Sequence, residues 1–250
     1  MTAVLSYFGI TDKGARDSNF DRIMVNGEIA ASGALQGDCT AVTAVVCDGV
    51  GNNQGSDEAA EIAAGIFAEL SGVAPEKDAV NPIIDKASNA IAEERIGSPH
   101  KENMASTVAG IIISDNNILI FNVGDSKVFR LRDGIVSELS TEHSLAQTLV
   151  DTGAYKSRDD VPDADKHTIE RALGDPDRHA PSFEGGMGRA FEDDVYLLCS
   201  DGLSDVISAQ DIKDVLETES SPQSKGETLL SLAEQRQTTD NISIIIVEVS

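Results

Sequence analysis

Five aspartates stand where apolar, strand-like runs meet turns. "AVTAVVCD" delivers Asp48 into "GVGNNQG", "ILIFNVGDS" ends in Asp125, and "VYLLCSDG" ends in Asp201. "TTDNISIIIVEV" sets Asp240 just ahead of an apolar run, and "RDSNFDRIMV" does the same with Asp21. An aspartate beside glycine is ordinary turn chemistry, so each one alone is by default a turn or cap residue. If several strands of one sheet bring them to one edge, the carboxylates repel and raise one another's pKa unless cations neutralise them. No candidate is His or Cys, which favours a hard ion such as Mg²⁺ or Mn²⁺ over zinc or copper. Two such ions ~3.5–4 Å apart could share a carboxylate and clamp a phosphoryl group. Arg16, on the loop before Asp21, is the cation placed to hold that phosphate.

The elements that must position these residues are read from β-branched runs: "VLSYFGI", "DRIMV", "AVTAVVCD", "TVAGIIISD", "NILIFNVGD", "KVFRLRDG", "DVYLLCSD" and "NISIIIVEV". "IIISDNNILIFNV" reads as a hairpin about Asp115, Asn116 and Asn117, so much of the sheet is antiparallel. Helical patterns occupy residues 56–70, 82–96, 144–153, 208–219 and 225–237, and Ser208 followed by Asp211 has capping-box spacing. Strand runs with helices in pairs predict an α+β layered sandwich rather than a doubly wound parallel sheet. Residues 154–189 mix charge, proline and glycine with little periodicity, which predicts a solvated loop or a flap over a site. No internal repeat or long linker divides the chain, so residues 1–250 are read as one domain.

Composition narrows the class. Lys and Arg number 19 against 43 Asp and Glu, a net charge of −24 that repels nucleic acid and anionic membrane. Three cysteines, Cys39, Cys47 and Cys199, have no zinc-type spacing and make a poor disulfide framework. No signal-peptide pattern or membrane-length apolar run is present, and a reducing cytoplasm is the expected compartment.

Taken in order, "GARDSNFDR", "VCDGVGNNQGSDEAA", "ASTVAGIIISDNNILIFNVGDSKVFRLRDG", "STEHSL", "ERALG", "LLCSDGLSDVI" and "TTDNISIIIV" resemble the type 2C metal-dependent serine/threonine protein phosphatases, bacterial members in particular. The resemblance implies a four-layer α-β-β-α sandwich: two mainly antiparallel sheets flanked by helix pairs, with a binuclear Mn²⁺ or Mg²⁺ site at one end. It implies hydrolysis of phosphoserine and phosphothreonine by a metal-bridging hydroxide. Carried over, Asp48 bridges both metals, the Gly49 carbonyl joins it on the second, and Asp201 and Asp240 ligate the first. Asp21 supports the second metal through water, Asp125 matches the residue of a third, weaker ion, Arg16 binds phosphate, and Asn241 partners Asp240. The implied partners are phosphorylated proteins and an opposing Ser/Thr kinase, and the chain is expected to act as a monomer.

Four positions depart from the family pattern. Phe20 stands for a usual Glu or Gln, Asn52 for a frequent glycine, and Ala105 for the glycine before Ser106 and Thr107. Val50 replaces a histidine proposed as general acid in animal members, which passes leaving-group protonation to a water.

Rival chemistries fail on residues. A Cys-x5-Arg nucleophile is absent, since Val45, Asn53 and Asp205 lie six places after the cysteines, and Cys47 and Cys199 read as core. An Asp-x-Asp nucleophile is absent because Val50 and Leu203 follow Asp48 and Asp201. "GNNQGSDE" lacks a Walker lysine, and an EF-hand from Asp48 would have Asn53 and Ala59 where Gly and Glu are needed. His143 reads as a capping or packing residue, and His100, His167 and His179 as loop residues. The alternative of another class is a catalytically weak regulator that binds a phosphoprotein or partner, a reading that loss of metal aspartates would favour; all are retained.

Overall fold

A computed structural model describes residues 3–51, 55–96, 101–183 and 187–250. Asn52, Asn53 and His100 therefore lie outside the described residues. The β-branched runs pair into two six-stranded sheets. The first runs β4 (Gly33–Cys39), β1 (Leu5–Asp12), β12 (Ile242–Val249), β11 (Val195–Cys199), β8 (Lys127–Arg132) and β9 (Ile135–Glu138). The second runs β10 (Met187–Arg189), β7 (Asn117–Val123), β6 (Val108–Ser114), β5 (Ala41–Cys47), β2 (Arg22–Val25) and β3 (Glu28–Ala30). Each neighbouring pair among the described residues is antiparallel.

The period-2 alternation of central strands explains the layering. On β5, Val42, Ala44 and Val46 face the other sheet, whereas Val45 and Cys47 face the helices outside. On β12, Ile245, Val247 and Val249 point inward while Ile242, Ile244 and Ile246 point to the opposite helix layer. Strands buried on both faces read as near-continuous apolar runs, and these were the most legible elements. α1 (Ser56–Phe67) presents Ala59, Ala60, Ala63, Ala64 and Phe67 on one stripe, and with α2 (Lys77–Ile96) it covers the second sheet. α6 (Ala209–Leu216) and α7 (Pro222–Gln235) cover the first. The result is the expected α-β-β-α sandwich.

Details bear out or correct the sequence reading. The β6–β7 hairpin turns on Asp115 and Asn116, both at positive φ as a two-residue turn of this hand requires, and Asn117 already belongs to β7. The capping box at Ser208 and Asp211 is present. α2 begins at Lys77 rather than near Pro82, which the helix carries inside. α7 begins at Pro222, capped by Ser221, ahead of the expected Lys225. α3 (Leu145–Asp151) is capped by Ser144; residues 154–183 hold a 3-10 turn, Arg158–Asp160, and α4 (Asp163–Lys166), and β10 pairs its end of the segment with β7. Among the described residues no helix is long and apolar enough to cross a membrane.

Candidate metal centre

The five aspartates do converge, but two sheets supply them. The second sheet contributes Asp21 ahead of β2, Asp48 after β5 and Asp125 after β7; the first contributes Asp201 after β11 and Asp240 ahead of β12. Asp48, Gly49, Asp125, Asp201, Asp240 and Arg16 line one cavity of about 780 Å³, a size usual for a ligand site. Asp21 is buried beneath it, 1% exposed.

Asp48 is held by its backbone. The Asp48 carbonyl accepts from Thr107 N at 2.8 Å and Ser106 Oγ at 3.0 Å, and its N–H donates to Thr107 Oγ1. Thr107 Oγ1 also meets Ser126 Oγ at 2.7 Å, which ties the Asp48 turn to the Asp125 turn. A Cβ on Gly49 would lie 2.2 Å from Ser56 O, and one on Gly202 1.9 Å from Asn241 O, so glycine is what lets these segments touch. Asp201 opens the short helix α5 (Asp201–Ser204).

Asn241 is buried, and its side chain is spent on the loop that carries Arg16. Oδ1 accepts from Phe20 N at 2.8 Å, and Nδ2 donates to Lys13 O and Ser18 O, each at 2.9 Å. Phe20 O in turn accepts from Gly49 N, so the backbone at the departed position still braces the site. Arg16 Nη2 reaches Asp240 Oδ2 at 2.8 Å.

The electrostatics are those of carboxylates awaiting positive charge. Burial, then the charges of Asp21, Asp201, Asp125 and Asp240, hold Asp48 well above the usual carboxylate range. Asp201 is raised by burial and then by Asp125, Asp240 and Asp205. Burial pushes Asp21 up to about 6, opposed by the hydroxyls of Ser243 and Ser200 and reinforced by Asp240. Asp125 also rises to about 6, through burial and then Glu142. Asp21 Oδ2 and Asp125 Oδ1 are buried with no hydrogen-bond partner. Orphaned oxygens among mutually repelling carboxylates fit a hard divalent cation.

Sequence reasoning missed a second group in the cavity. Ligand atoms of His167, Asp201 and Asp205 lie within 4.8 Å of one another. Glu142, 6% exposed, pairs with Lys127 at 3.0 Å and with Arg158, and Arg158 also reaches Asp205 at 3.4 Å. Asp205 stands one helical turn after Asp201, a spacing visible in the sequence; His167 and Arg158 lie in the aperiodic segment and gave no signal.

The other histidines behave as expected or stand apart. His143 Nδ1 accepts from Gly124 N at 3.1 Å while the His143 backbone N–H donates to Gly124 O, so it grips the turn before Asp125. Burial, then Arg171, holds it down to about 4, the neutral form an acceptor nitrogen needs. His179 meets Asp85 away from the cavity. Cys47 and Cys199 are core residues whose thiols burial pushes up.

Fold and site define a two-sheet α-β-β-α sandwich with a carboxylate cluster at one end. The family described as Protein phosphatase 2C matches residues 31–243, and the chain belongs to that family. The serine/threonine protein phosphatase PstP of Mycobacterium tuberculosis is 27% identical over 253 residues, covering all of this chain and 46% of that protein. The chain thus spans about half the length of that relative. Protein phosphatase PhpP of Streptococcus pneumoniae is 26% identical over 212 residues, covering 82% of this chain and 85% of that one. The catalytic domain of PstP, solved in complex with two manganese ions, superposes with a TM-score of 0.81 at 27% identity and covers 99% of each chain. Stp1 of Staphylococcus aureus, at 21% identity and a TM-score of 0.85 over 98% of this chain and 94% of that one, shares the fold.

Proposed function

We propose that this protein is a metal-dependent phosphoprotein phosphatase that hydrolyses phosphoserine and phosphothreonine. The observation that carries the reading is the convergence of Asp48, Asp125, Asp201 and Asp240 with Arg16 on one cavity. Asp48 would be shared by two divalent cations, Mn²⁺ or Mg²⁺, with the Gly49 carbonyl on one, Asp201 and Asp240 on the other, and Asp21 supporting from below. Asp125 would hold a third, weaker ion. When bound, such ions lower the pKa of water toward neutrality and offset phosphoryl charge.

The chain's own groups do the rest. Arg16 binds phosphate through its guanidinium, exchanging its present carboxylate partner Asp240 for the substrate's oxygens. Asn241 keeps the Arg16 loop in register with β12. Val50 lines the cavity and has no ionisable proton, so the leaving serine or threonine oxygen needs its proton from another group, a role the Asp125 side of the cavity would fill. Residues 1–250 form one catalytic domain, with 154–189 as its flap. The protein works as a cytoplasmic monomer, opposed by a Ser/Thr kinase.

Purified protein should release phosphate from phosphoserine and phosphothreonine peptides with Mn²⁺ or Mg²⁺, and far less from phosphotyrosine. Full activity in excess chelator, or activity confined to free nucleotides, would refute the proposal.

A further inference from the structure

All donors assigned above are oxygens, yet the cavity also holds an imidazole. His167 directly follows α4, and its Nδ1 lies 3.2 Å from Asp205 Oδ2. Asp201 and Asp205 are four residues apart across α5, so their carboxylates share one face. A nitrogen of His167 and one oxygen of each aspartate fall within 4.8 Å of one another. Opposite ligands of an octahedral ion with bonds of about 2.1 Å sit about 4.2 Å apart, so small side-chain rotations close this set on one cation.

His167 is not at the tip of a free loop. Leu145 N donates to Thr168 O at 2.8 Å, Ser144 bridges Ile169, and Glu170 N donates to His143 O. The backbone next to His167 is thereby laced to residues 143–145, the segment whose His143 grips the turn before Asp125. Arg158, earlier in the same segment, reaches the other oxygen of Asp205.

We propose that His167 is a nitrogen ligand of a cation shared with Asp201 and Asp205, and that this cation fastens the 154–183 segment over the cavity. The proposal rests on the metal-dependent reading above. An imidazole distinguishes ions: Mg²⁺ prefers carboxylate, carbonyl and water, whereas first-row transition ions accept a nitrogen donor with affinity rising from Mn²⁺, the hardest and weakest of them, through Co²⁺ to Ni²⁺. His167 then makes this one position selective for transition ions while the all-oxygen pair is served by either kind. The plain alternative is that His167 and Asp205 form only an ion pair.

The test is pulsed EPR on the full chain loaded with Mn²⁺, with metal counted per chain. Because the other proposed donors are oxygens, a directly bonded ¹⁴N coupling reports the imidazole. The expected result is a ¹⁴N coupling that changes to ¹⁵N on labelling histidine alone and disappears in His167→Ala, which keeps its tightly bound pair. Calorimetry should find a Mn²⁺ site outside the tightly bound pair lowered about tenfold or more in His167→Ala, with Mg²⁺ affinity nearly unchanged. Two or three bound Mn²⁺ with no ¹⁴N coupling would overturn the inference alone. Coupling that persists in His167→Ala would do the same. A chain that binds no Mn²⁺ would overturn both this inference and the metal-dependent reading beneath it.

Discussion

Replacing Asp125 with asparagine should stabilise the metal-free protein and lose that advantage when metal is present. Asp125 is 5% exposed, and burial followed by the Glu142 charge lifts it from 3.8 to about 6. A shift of about two units corresponds to about 3 kcal/mol of unfavourable ionisation in the folded chain at neutral pH. Asparagine removes that ionisation but repacks imperfectly, so a gain of about 1–3 kcal/mol is expected in chelator at pH 7.5. For a domain of this size the gain reads as a rise of roughly 3–10 °C in Tm. The sign follows from linkage. A carboxyl whose folded pKa is raised binds its proton more tightly in the folded state, so its stability is greatest below the unfolded value and is lost as pH rises through about 6. The variant's advantage should therefore be full above pH 6.5 and vanish near pH 4. With saturating Mn²⁺ the order reverses, because the wild-type chain gains a ligand's binding energy that asparagine supplies poorly. Thermal and urea unfolding with and without chelator at several pH values measure this. A variant less stable than wild type in chelator at pH 7.5, or a difference independent of pH, would refute the reasoning.

Three further outcomes follow. Asp48→Asn should lose metal and turnover together, whereas Arg16→Ala should keep its metals by calorimetry and lose about 10–150-fold in kcat/KM, mostly through KM, as expected for a charged hydrogen bond worth about 1.5–3 kcal/mol. Asp125→Ala should lose much more activity on phosphopeptides than on an aryl phosphate, because phenolate departs with little acid assistance; equal losses would remove Asp125 from leaving-group protonation. Gly202→Ala places a Cβ 1.9 Å from the Asn241 carbonyl, which is backbone and cannot swing aside. It should force α5 from β12, cost about 1–3 kcal/mol in urea unfolding, and weaken metal binding by separating Asp201 from Asp240.

What was legible in the sequence follows physical lines. Asp48, Asp125 and Asp201 were found because each ends a doubly buried apolar strand, where an acid is conspicuous, and Asp240 because it precedes one. That two sheets share them could not be read, because register within a strand says nothing of which sheet it joins. β4, "GALQGDC", lies at an edge and alternates exposed with half-buried, so it has neither the β-branched residues nor the burial that mark a strand. The start of α2 is hard to read because proline usually opens a helix, and here the helix begins at Lys77 and runs through Pro82. Ser221 followed by Pro222 was a readable start signal for α7 that the apolar pattern obscured. Arg158 and His167 escaped because their positions depend on backbone lacing between remote segments, the bonds from Leu145 to Thr168 and from Glu170 to His143. Glu142 carries no mark of burial in the sequence, yet Lys127 and Arg158 hold it buried and lowered despite its desolvation.

The central claim is that these aspartates exist to hold cations beside Arg16, and anomalous diffraction from Mn²⁺-loaded crystals tests it most directly. One strong peak is expected at Asp48 and the Gly49 carbonyl, and a second, about 3.5–4 Å away, between Asp48, Asp201 and Asp240. A protein that hydrolyses phosphothreonine while its aspartate cluster carries no anomalous density would contradict the claim.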